Sequence, residues 1–420
     1  MSKFNILISG SGIAGGVFAS WLLRAYPKAN ITIVERAPSL RLTGASVDIR
    51  STAVDVIKWM DAEQKIRNHT TKEEGIQFVK ANGKAIATFG ATGRTDIQSI
   101  TSEFEIFRGE LAKIFIDPVI KRVKFIFDES IDSFDQRGDE VVVTFAKSKE
   151  VKTYDLLVAA DGLGSNIRGM MLNSRPREQI YDEGIHIAYF TIKRDLLQGC
   201  RLAKWYNATG GRCIFLRPDP NPAGRTRGHL MNITTRKDIQ TKERLNEAIS
   251  EGNESYMQLM EEMFHDAGWL APEVLRGMRE SDDFYCSLFA QVRSPKIYDG
   301  RVVLLGDAGY ATSGFGTSLA IMGGYVLAGE LLNHPGDVKT ALRRYEELML
   351  PFVKYSQSTF PAMQLLNPQT QWGIGIRNTI LCIVTKTKLD QLAMTVSSAL
   401  GFSEKKFPMP DYQWPAKSEY

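Results

Sequence analysis

One short stretch decides the fold of this chain: Gly10-Ser11-Gly12-Ile13-Ala14-Gly15. An apolar run, residues 4–8, precedes it and predicts a buried strand, and a helical pattern over residues 13–26 follows it. Gly10 would make a tight turn, Gly12 would let a ligand approach the backbone, and Gly15 would pack the helix on the strand. The stretch therefore predicts the start of a βαβ unit that holds a pyrophosphate at the helix N-terminus.

The next strand, predicted over residues 31–34, ends at an acidic residue, Glu35. A carboxylate at this strand end can accept hydrogen bonds from both hydroxyls of a ribose. A tight turn that binds nothing is the alternative, but strand, helix and acid follow the order that a dinucleotide site requires. We therefore expect Glu35, its neighbour Arg36, and Ile13 and Ala14 of the glycine stretch to contact a dinucleotide.

Two further glycine turns follow apolar runs later in the chain. Asp161-Gly162-Leu163-Gly164-Ser165-Asn166-Ile167-Arg168 follows residues 156–160, and Gly306-Asp307-Ala308-Gly309 follows residues 302–305. Considered alone, either could be an ordinary turn. Together with the first stretch they indicate one large phosphate-bearing cofactor that is touched at three strand ends. FAD is the obvious candidate.

The third turn would bring a carboxylate, Asp307, to a place where a ribityl hydroxyl could donate to it. A helix predicted over residues 318–332 would direct its N-terminal amides at the pyrimidine end of the flavin, where negative charge accumulates on reduction. Gly316 and Thr317 precede that helix and are expected to contact the same ring. The alternative is that Asp307 only caps a helix, but the first glycine stretch favours the cofactor.

The bulk properties are those of an ordinary globular protein. The chain has 420 residues and a formal net charge of +4, with basic and acidic residues interspersed, which argues against a nucleic-acid partner. Its four cysteines form no metal-ligating pattern, so we expect reduced thiols, no metal and a cytoplasmic location. Without a long apolar run we expect no membrane insertion. The closest case, residues 372–384, predicts a helix packed on the protein body, with a membrane-surface helix as the alternative.

The pattern of elements predicts an α/β fold. It consists of a discontinuous Rossmann-like FAD-binding domain, an inserted β-sheet substrate domain and a C-terminal helical segment. The predicted boundaries are as follows: FAD-binding domain in residues 1–75, 101–174 and 291–355; a substrate-domain hairpin in 76–100; the substrate domain in 175–290; and the helical region in 356–420.

The substrate domain is predicted to be mostly extended, with one helix over residues 242–264. Its sheet could form the wall of a ligand cavity, which aromatic strand residues would line. His186, His229 and His265 lie in this domain, and we interpret each as structural rather than as a catalytic base. Basic residues at the strand ends, Lys193, Arg194 and Arg217, could pair with a substrate acid, but exposed surface charges are the favoured interpretation.

The chain resembles a known family along nearly its whole length, to about residue 360. The family is that of the single-component FAD-dependent aromatic hydroxylases, the para-hydroxybenzoate hydroxylase-like flavoprotein monooxygenases. The matching residues are Gly10, Gly12, Gly15, Glu35, Arg108, Asp161, Gly162, Ser165, Arg168, Gly306 and Asp307.

The resemblance implies roles for individual residues. Arg108 would contact the FAD ribose or pyrophosphate. Asp161 with its neighbours Gly162 and Arg168 would support FAD and help in a transient contact with NADPH. Asp307 would hold the ribityl chain.

The resemblance also implies that the loop of residues 44–50 lies beside the isoalloxazine, with Asp48 and Arg50 as contacts. Two departures from the family pattern concern the same ring. Tyr310 stands where the family has a histidine, and about three residues, a proline among them, are missing before Gly314. The Gly309-Tyr310 variant is similar to a branch that modifies polyketides and other secondary metabolites.

The chemistry that the resemblance implies belongs to the flavin. NADPH reduces it, oxygen adds at C4a, and the hydroperoxide delivers one oxygen atom from O2 to an aromatic or polyketide-derived molecule. A dehydrogenase or cyclase of the same fold without oxygen transfer is the alternative, and a degenerate flavin fold that only binds a ligand is a third. The sequence does not predict the oligomeric state.

Overall fold

The structure, a computed structural model, describes residues 4–40, 44–71, 73–90, 104–221, 224–358, 362–387 and 408–416. The strands are, in chain order, β1 (Asn5–Ser9), β2 (Asn30–Glu35), β3 (Ser46–Asp48), β4 (Gly75–Val79), β5 (Ala85–Gly90), β6 (Glu105–Phe107), β7 (Lys124–Phe127), β8 (Ile131–Arg137), β9 (Glu140–Phe145), β10 (Val151–Tyr154), β11 (Leu156–Ala159), β12 (Ile180–Ile192), β13 (Leu202–Ala208), β14 (Arg212–Pro218), β15 (Thr226–Ile233), β16 (Tyr285–Val292), β17 (Tyr298–Asp299) and β18 (Val302–Leu304). The helices are α1 (Ile13–Ala25), α2 (Ala53–Trp59), α3 (Glu63–Asn68), α4 (Arg108–Ile116), α5 (Asn166–Leu172), α6 (Ile239–Glu251), α7 (Asn253–Phe264), α8 (Ala271–Arg279), α9 (Asp307–Tyr310), α10 (Gly316–Asn333), α11 (Val338–Gln357), α12 (Ala362–Leu366) and α13 (Gln371–Thr387).

The first sheet has the strand order β17-β18-β11-β1-β2-β7 and is parallel except at β17. Its central strands are apolar runs because helices cover both faces, as in other parallel sheets. Helices α1 and α10 pack closely, since a Cβ built on Gly324 would lie 2.8 Å from Val17 Cγ1. This arrangement brings the carboxyl ends of β2, β1, β11 and β18 to one edge in neighbouring order.

The second sheet has the order β16-β12-β15-β14-β13-β4-β5 and is antiparallel except where β4 pairs with β13. The hairpin predicted from the Asn-Gly turn is confirmed as β4 and β5. One face of the sheet packs against α6, α7 and α8 around a buried apolar cluster. The other face turns towards α12 and α13 at one end and towards the loop before β3 at the other.

The prediction of one helix over residues 242–264 is wrong. The segment forms two helices, α6 and α7, that are separated at Gly252. Gly252 has a φ of +113°, a backbone conformation that glycine adopts and that no helix contains. Apolar periodicity continues across the break, which is why the pattern did not show it.

The predicted helix over residues 372–384 is confirmed as α13. It buries Ile374 and Arg377, and the Arg377 guanidinium lies 5.2 Å from the Phe78 ring, so this arginine packs on the second sheet. Its opposite face exposes Trp372 and Ile380. In the part of the chain that the structure describes, the helices are all too short or too polar to cross a membrane.

The described end of the chain, residues 408–416, has no helix and packs on the first domain. Tyr412 is buried over Gly329, and its hydroxyl donates a 2.7 Å hydrogen bond to Glu330 Oε1. Trp414 contacts Trp21 of α1 with 4.4 Å between ring centroids. The predicted helical character of residues 356–420 therefore does not extend to this segment.

Replacing the buried ring tests this packing. Tyr412→Ala should lower the free energy of unfolding by about 3 kcal/mol, because it leaves a cavity and removes the donor to Glu330. Urea denaturation measures the change. The control is Trp372→Ala, which removes an aromatic ring that is 78% exposed and should change stability by no more than about 0.5 kcal/mol. Equal losses in the two variants would contradict the packing.

Candidate active site

The first glycine turn is joined to its neighbours by close backbone contacts. Gly10 has a φ of +106°, and a Cβ built on it would overlap the carbonyl oxygen of Ala160 at the end of the second motif's strand. Only glycine allows this approach. Glu35 Oε2 accepts hydrogen bonds from Ser11 N at 3.0 Å and from Ser11 Oγ at 2.8 Å. The acid at the end of β2 is therefore held against the glycine turn.

Gly12 begins α1 on the open side of this turn. A Cβ built on it would meet no atom within 4 Å, so its backbone faces free space rather than protein. A ligand can approach the first amides of α1 here, where the helix dipole favours a negative group. The predicted contacts on either side differ in accessibility, since Ile13 and Ala14 are buried and Arg36 is exposed.

The second motif contains a buried carboxylate with an unused oxygen. Asp161 Oδ1 is buried and has no hydrogen-bond partner within the described ranges. Burial raises the pKa of Asp161, and a hydrogen bond from Ser165 opposes that effect. A buried polar atom of this kind needs a partner, and a ligand could supply it.

Arg168 does not reach the groove, by which we mean the open side of the three glycine turns, where a ligand can lie. Its side chain is fully buried and donates hydrogen bonds of 2.8 Å to the carbonyl oxygens of Ala308 and Leu163. The direct cofactor contact predicted for Arg168 does not fit this burial. Instead, the guanidinium joins the second motif to the third through its hydrogen bonds to both.

The third motif packs on the first. Gly306 has a φ of +63°, and its Cβ would lie 2.9 Å from Ala14 Cβ. Asp307 begins the short helix α9, and Asp307 Oδ1 would lie 3.2 Å from a Cβ on Gly316, the first residue of α10. Asp307 caps neither helix, since the N-cap residues are Gly306 and Phe315. Its partly buried carboxylate has no partner among the residues that the structure describes.

The spacing of the strands fixes the distance between the two acids. Glu35 ends β2 and Asp307 follows β18, and these strands are three spacings apart at the same edge of the sheet. At about 4.8 Å for each spacing the two strand ends lie roughly 14 Å apart. One extended ligand could therefore touch both.

The loop of residues 44–50 borders the same groove. Its strand β3 pairs with β6, and Arg108 N donates a 2.9 Å hydrogen bond to Ala45 O. Arg50 N donates to Ser318 Oγ at 2.9 Å, which ties the loop to the first turn of α10 near Thr317. The predicted contacts Asp48 and Arg50 form an ion pair with each other at 2.8 Å.

Arg108 itself stands at the start of α4, with its side chain exposed. Its guanidinium has no partner within the described ranges. The Arg108 side chain lies next to Gly44, and a cation at this position can bind a phosphate or a ribose. The contact of Arg108 with the FAD ribose or pyrophosphate stays a prediction.

Tyr310, at the family's histidine position, lies in the core. It is 1% exposed, and its hydroxyl is 2.8 Å from the hydroxyl of Tyr345 on α11. Gly323 of α10 leaves the space for it, because a Cβ there would overlap the hydroxyl. Burial raises the pKa of Tyr310 to about 12. The side chain packs inside the domain and does not border the groove.

A row of aromatic side chains crosses six strands on one face of the second sheet. Neighbouring ring centroids are 4.7–5.8 Å apart, and the row consists of Tyr285, Tyr189, His229, Phe215, Trp205 and Phe78. At the Tyr285 end a small, partly open cavity lies between this face and the loop before β3. Its lining residues are Gly44, Ala45, Ser46, Phe107, Tyr189, Phe190, Arg227, His229, Asp283 and Tyr285.

His229 lines the cavity but is a poor base. Burial, with Arg217 and Arg227 nearby, lowers the pKa of His229 to about 3. The ring contacts Phe215 O through Nδ1 at 3.2 Å, and a carbonyl can only accept, so Nδ1 carries the proton. His186 is buried beside Asn246 and His265 is exposed, and neither lines the cavity.

Known proteins are similar to this chain over nearly its whole length. No family model matches the chain. It is 31% identical to the FAD-dependent monooxygenase asL4 of Sarocladium schorii over 98% of this chain and 99% of that protein. It is 30% identical to the monooxygenase CTB7 of Cercospora beticola over 98% of each chain. The chain belongs to the FAD-dependent monooxygenases. The crystal structure of the tetracycline destructase Tet(51) matches 98% of this chain and 99% of its own with a TM-score of 0.73 and 27% identity.

The monooxygenase is thus an oxidoreductase.

The arginine at the end of β14 corrects a prediction. Arg217 is buried rather than exposed, and it pairs with Glu73 at 2.8 Å and with Glu105. The strand end enters the contact between the two sheets, where Arg217 also donates to Ser46 Oγ. Lys193 is exposed and pairs with Asp282, as the surface interpretation predicted.

The contact between the two sheets contains more acidic than basic side chains. Three carboxylates, Asp48, Glu73 and Glu105, surround two guanidiniums, Arg50 and Arg217. Burial raises the pKa of Glu73 to about 7, even though the adjacent Arg217 opposes the shift. Burial, with smaller contributions from the carboxylates of Glu105 and Asp48, explains why Glu73 retains a proton at a pH where an exposed glutamic acid has lost it.

The proton retained on Glu73 should make the free energy of unfolding depend on pH. The folded state keeps it while the unfolded state releases it, so the contribution of protonated Glu73 is lost as pH rises to about 7. Relative to wild type, Glu73→Gln should therefore gain about 2–3 kcal/mol between pH 5 and pH 8. Urea denaturation at several pH values measures the difference.

The matched control is Glu347→Gln. Hydrogen bonds from Arg343 and Arg344 hold the pKa of Glu347 below its usual value, so this residue stays ionised from pH 5 upward. Its difference from wild type should be constant over the same range. A constant difference for Glu73→Gln as well would contradict the retained proton.

Proposed function

We propose that this monooxygenase binds FAD along the carboxyl edge of the first sheet and uses NADPH and O2 to insert one oxygen atom into an aromatic or polyketide-derived molecule. One observation carries the proposal. The three glycine turns end neighbouring parallel strands, with Glu35 at one end of the common groove and Asp307 at the other.

The adenosine end of FAD fits the first motif. Glu35 would accept a hydrogen bond from the ribose at Oε1, which retains a lone pair beside the bond from Ala37 N, whereas Oε2 already accepts two bonds from Ser11. The pyrophosphate would lie over Gly12 at the N-terminus of α1. Arg108 would supply the positive charge that the phosphates require.

The flavin end fits the third motif. Asp307 would accept a hydrogen bond from the ribityl chain, and the amides of Gly316 and Thr317 at the start of α10 would face the pyrimidine ring. The loop with Asp48 and Arg50 would border the isoalloxazine. Asp161, with its unused oxygen, would contact either FAD or a transient NADPH, and Arg168 binds the carbonyl oxygens of Leu163 and Ala308 on the buried side of that turn.

When bound, FAD would take a hydride from NADPH and transfer one oxygen atom from O2 to the substrate. The chain's own residues would position the substrate and exclude water. Tyr189 and Tyr285 stack with 4.7 Å between ring centroids and 6° between planes, which provides a flat wall for an aromatic ring. The Tyr285 hydroxyl accepts a hydrogen bond from Ala45 N and so closes the cavity against the loop.

The relatives support a multi-ring substrate. The name of Tet(51) assigns that protein to tetracycline, a four-ringed molecule, and its fold superposes on nearly the whole of this chain. The aromatic row offers an apolar surface on which such a molecule could pack. We therefore propose a planar phenolic or polycyclic compound as the substrate.

Gly12→Ala tests the cofactor groove separately from the fold. The added methyl group meets no protein atom, so the apoprotein should lose no more than about 1 kcal/mol of stability. It would occupy the space that the pyrophosphate needs, at a cost of about 1–3 kcal/mol, which is roughly a 10- to 100-fold weaker affinity for FAD. Quenching of flavin fluorescence measures this affinity.

Gly375→Ala on α13 is the matched control, because its Cβ also meets no atom within 4 Å. It should bind FAD as wild type does. If Gly12→Ala retained wild-type affinity, the pyrophosphate would lie elsewhere.

Turnover distinguishes oxygen transfer from the alternative of a dehydrogenase or cyclase. The holoenzyme should oxidise NADPH faster when a planar phenol is present, and the product should carry label from ¹⁸O2. Mass spectrometry of the product measures the label. Product formed without label would contradict oxygen insertion, and a preparation that takes up no FAD would contradict the proposed function as a whole.

A further inference from the structure

We propose that the cavity selects uncharged planar aromatic molecules and rejects aromatic carboxylates, because carboxylates of the protein already neutralise the arginine in its wall. The inference rests on the proposed function, in which this cavity is the substrate site. It adds the charge of the substrate to the proposed class.

The arginine in the cavity wall is Arg227 of β15. It forms ion pairs with Asp219 at 2.6 Å and with Asp283 at 2.8 Å, and its guanidinium lies 4.4 Å from the Phe107 ring. A guanidinium that two carboxylates hold and an aromatic ring covers has little charge left to attract an anion.

The surroundings of Asp283 hold its carboxylate in the ionised form. Asp283 accepts hydrogen bonds from Thr191 N at 2.8 Å, Thr191 Oγ1 at 2.6 Å and Ser281 Oγ at 2.8 Å. Burial acts against ionisation, but these bonds together hold the pKa of Asp283 below its usual value. Asp219 is 2% exposed at its side chain and contacts the same guanidinium. Asp283 therefore remains negative when the enzyme is folded near neutral pH.

The second arginine of this face is equally occupied. Arg217 lies directly opposite Arg227 on the neighbouring strand, and like charges in such a pair repel. Glu73 and Glu105 neutralise Arg217 as Asp219 and Asp283 neutralise Arg227. Even with a proton on Glu73, three negative groups surround two positive ones, so the protein's charge near the cavity is negative.

The remaining polar groups favour a neutral hydroxyl. Because Nδ1 of His229 carries the proton, Nε2 is an acceptor, which suits a phenol and repels a carboxylate. The Tyr189 hydroxyl has no hydrogen-bond partner in the described parts of the chain and can bond to a ligand oxygen. A carboxylate that entered would lose its hydration without gaining a cation, which is costly.

The test compares two ligands that differ in one charge: 6-hydroxy-2-naphthoic acid and its methyl ester. Calorimetric titration of the holoenzyme at pH 7.5 measures both dissociation constants. We expect the ester to bind at least about tenfold more tightly. Equal affinities, tighter binding of the acid, or no binding of either compound would overturn the proposal.

A variant that binds the acid more tightly than wild type does would test the proposal more directly. Asp283→Asn removes one negative charge from Arg227 and keeps the shape of the side chain, so the preference for the ester should fall by about tenfold. The matched control is Asp282→Asn, since Asp282 is the next residue, 83% exposed, and pairs only with Lys193 at the surface in the described structure. Its ester preference should be that of wild type.

If Asp283→Asn fails to fold, Asp219→Asn removes the other charge on Arg227 and should change the preference in the same direction. An unchanged preference in the folded variants would overturn the proposal. Calorimetry reports ligand binding and the visible spectrum reports FAD, so loss of the cofactor would count against the proposed function and not against the charge preference.

Discussion

The backbone of Gly10 passes so close to Ala160 that no side chain fits between them. Glycine, at a φ of +106°, allows the ends of β1 and β11 to converge, and Gly306 brings the turn after β18 against Ala14 in the same way. These contacts align three turns that are far apart in the sequence. A groove with an acid at each end follows from them, because the strands between Glu35 and Asp307 are all parallel and adjacent.

Two kinds of interaction stabilise the second sheet: packing between aromatic rings, and ion pairs of two arginines. Its row of rings covers one face with aromatic side chains, while Arg217 and Arg227 lie opposite each other on neighbouring strands. Such an arrangement is stable only because each arginine has two carboxylate partners. The small sheet of β3 and β6 joins the two halves, since Ser46 contacts Arg217 and the following loop contacts α10. Charge in the substrate domain is thereby linked to the loop beside the groove.

Local patterns predicted the parts of the molecule whose geometry is local. The strand ends, the glycine turns and Glu35 follow from apolar runs and from spacing within a few residues. Predictions failed where distant segments decide the environment. Arg217 appeared to be an exposed strand end, but β6 and the segment before β4 cover it with Glu105 and Glu73. Tyr310 stands at the family's histidine position and is expected from the sequence to lie near the flavin. Its side chain instead fills a space in the core that Gly323 leaves open.

The central claim is that one extended FAD molecule spans the edge between β2 and β18. A crystal structure of the FAD complex measures it most directly. The account predicts a hydrogen bond from the adenosine ribose to the Glu35 carboxylate and another from the ribityl chain to Asp307 in the same molecule. FAD bound at another edge of the sheet, or bound with either carboxylate out of hydrogen-bonding reach, would contradict it.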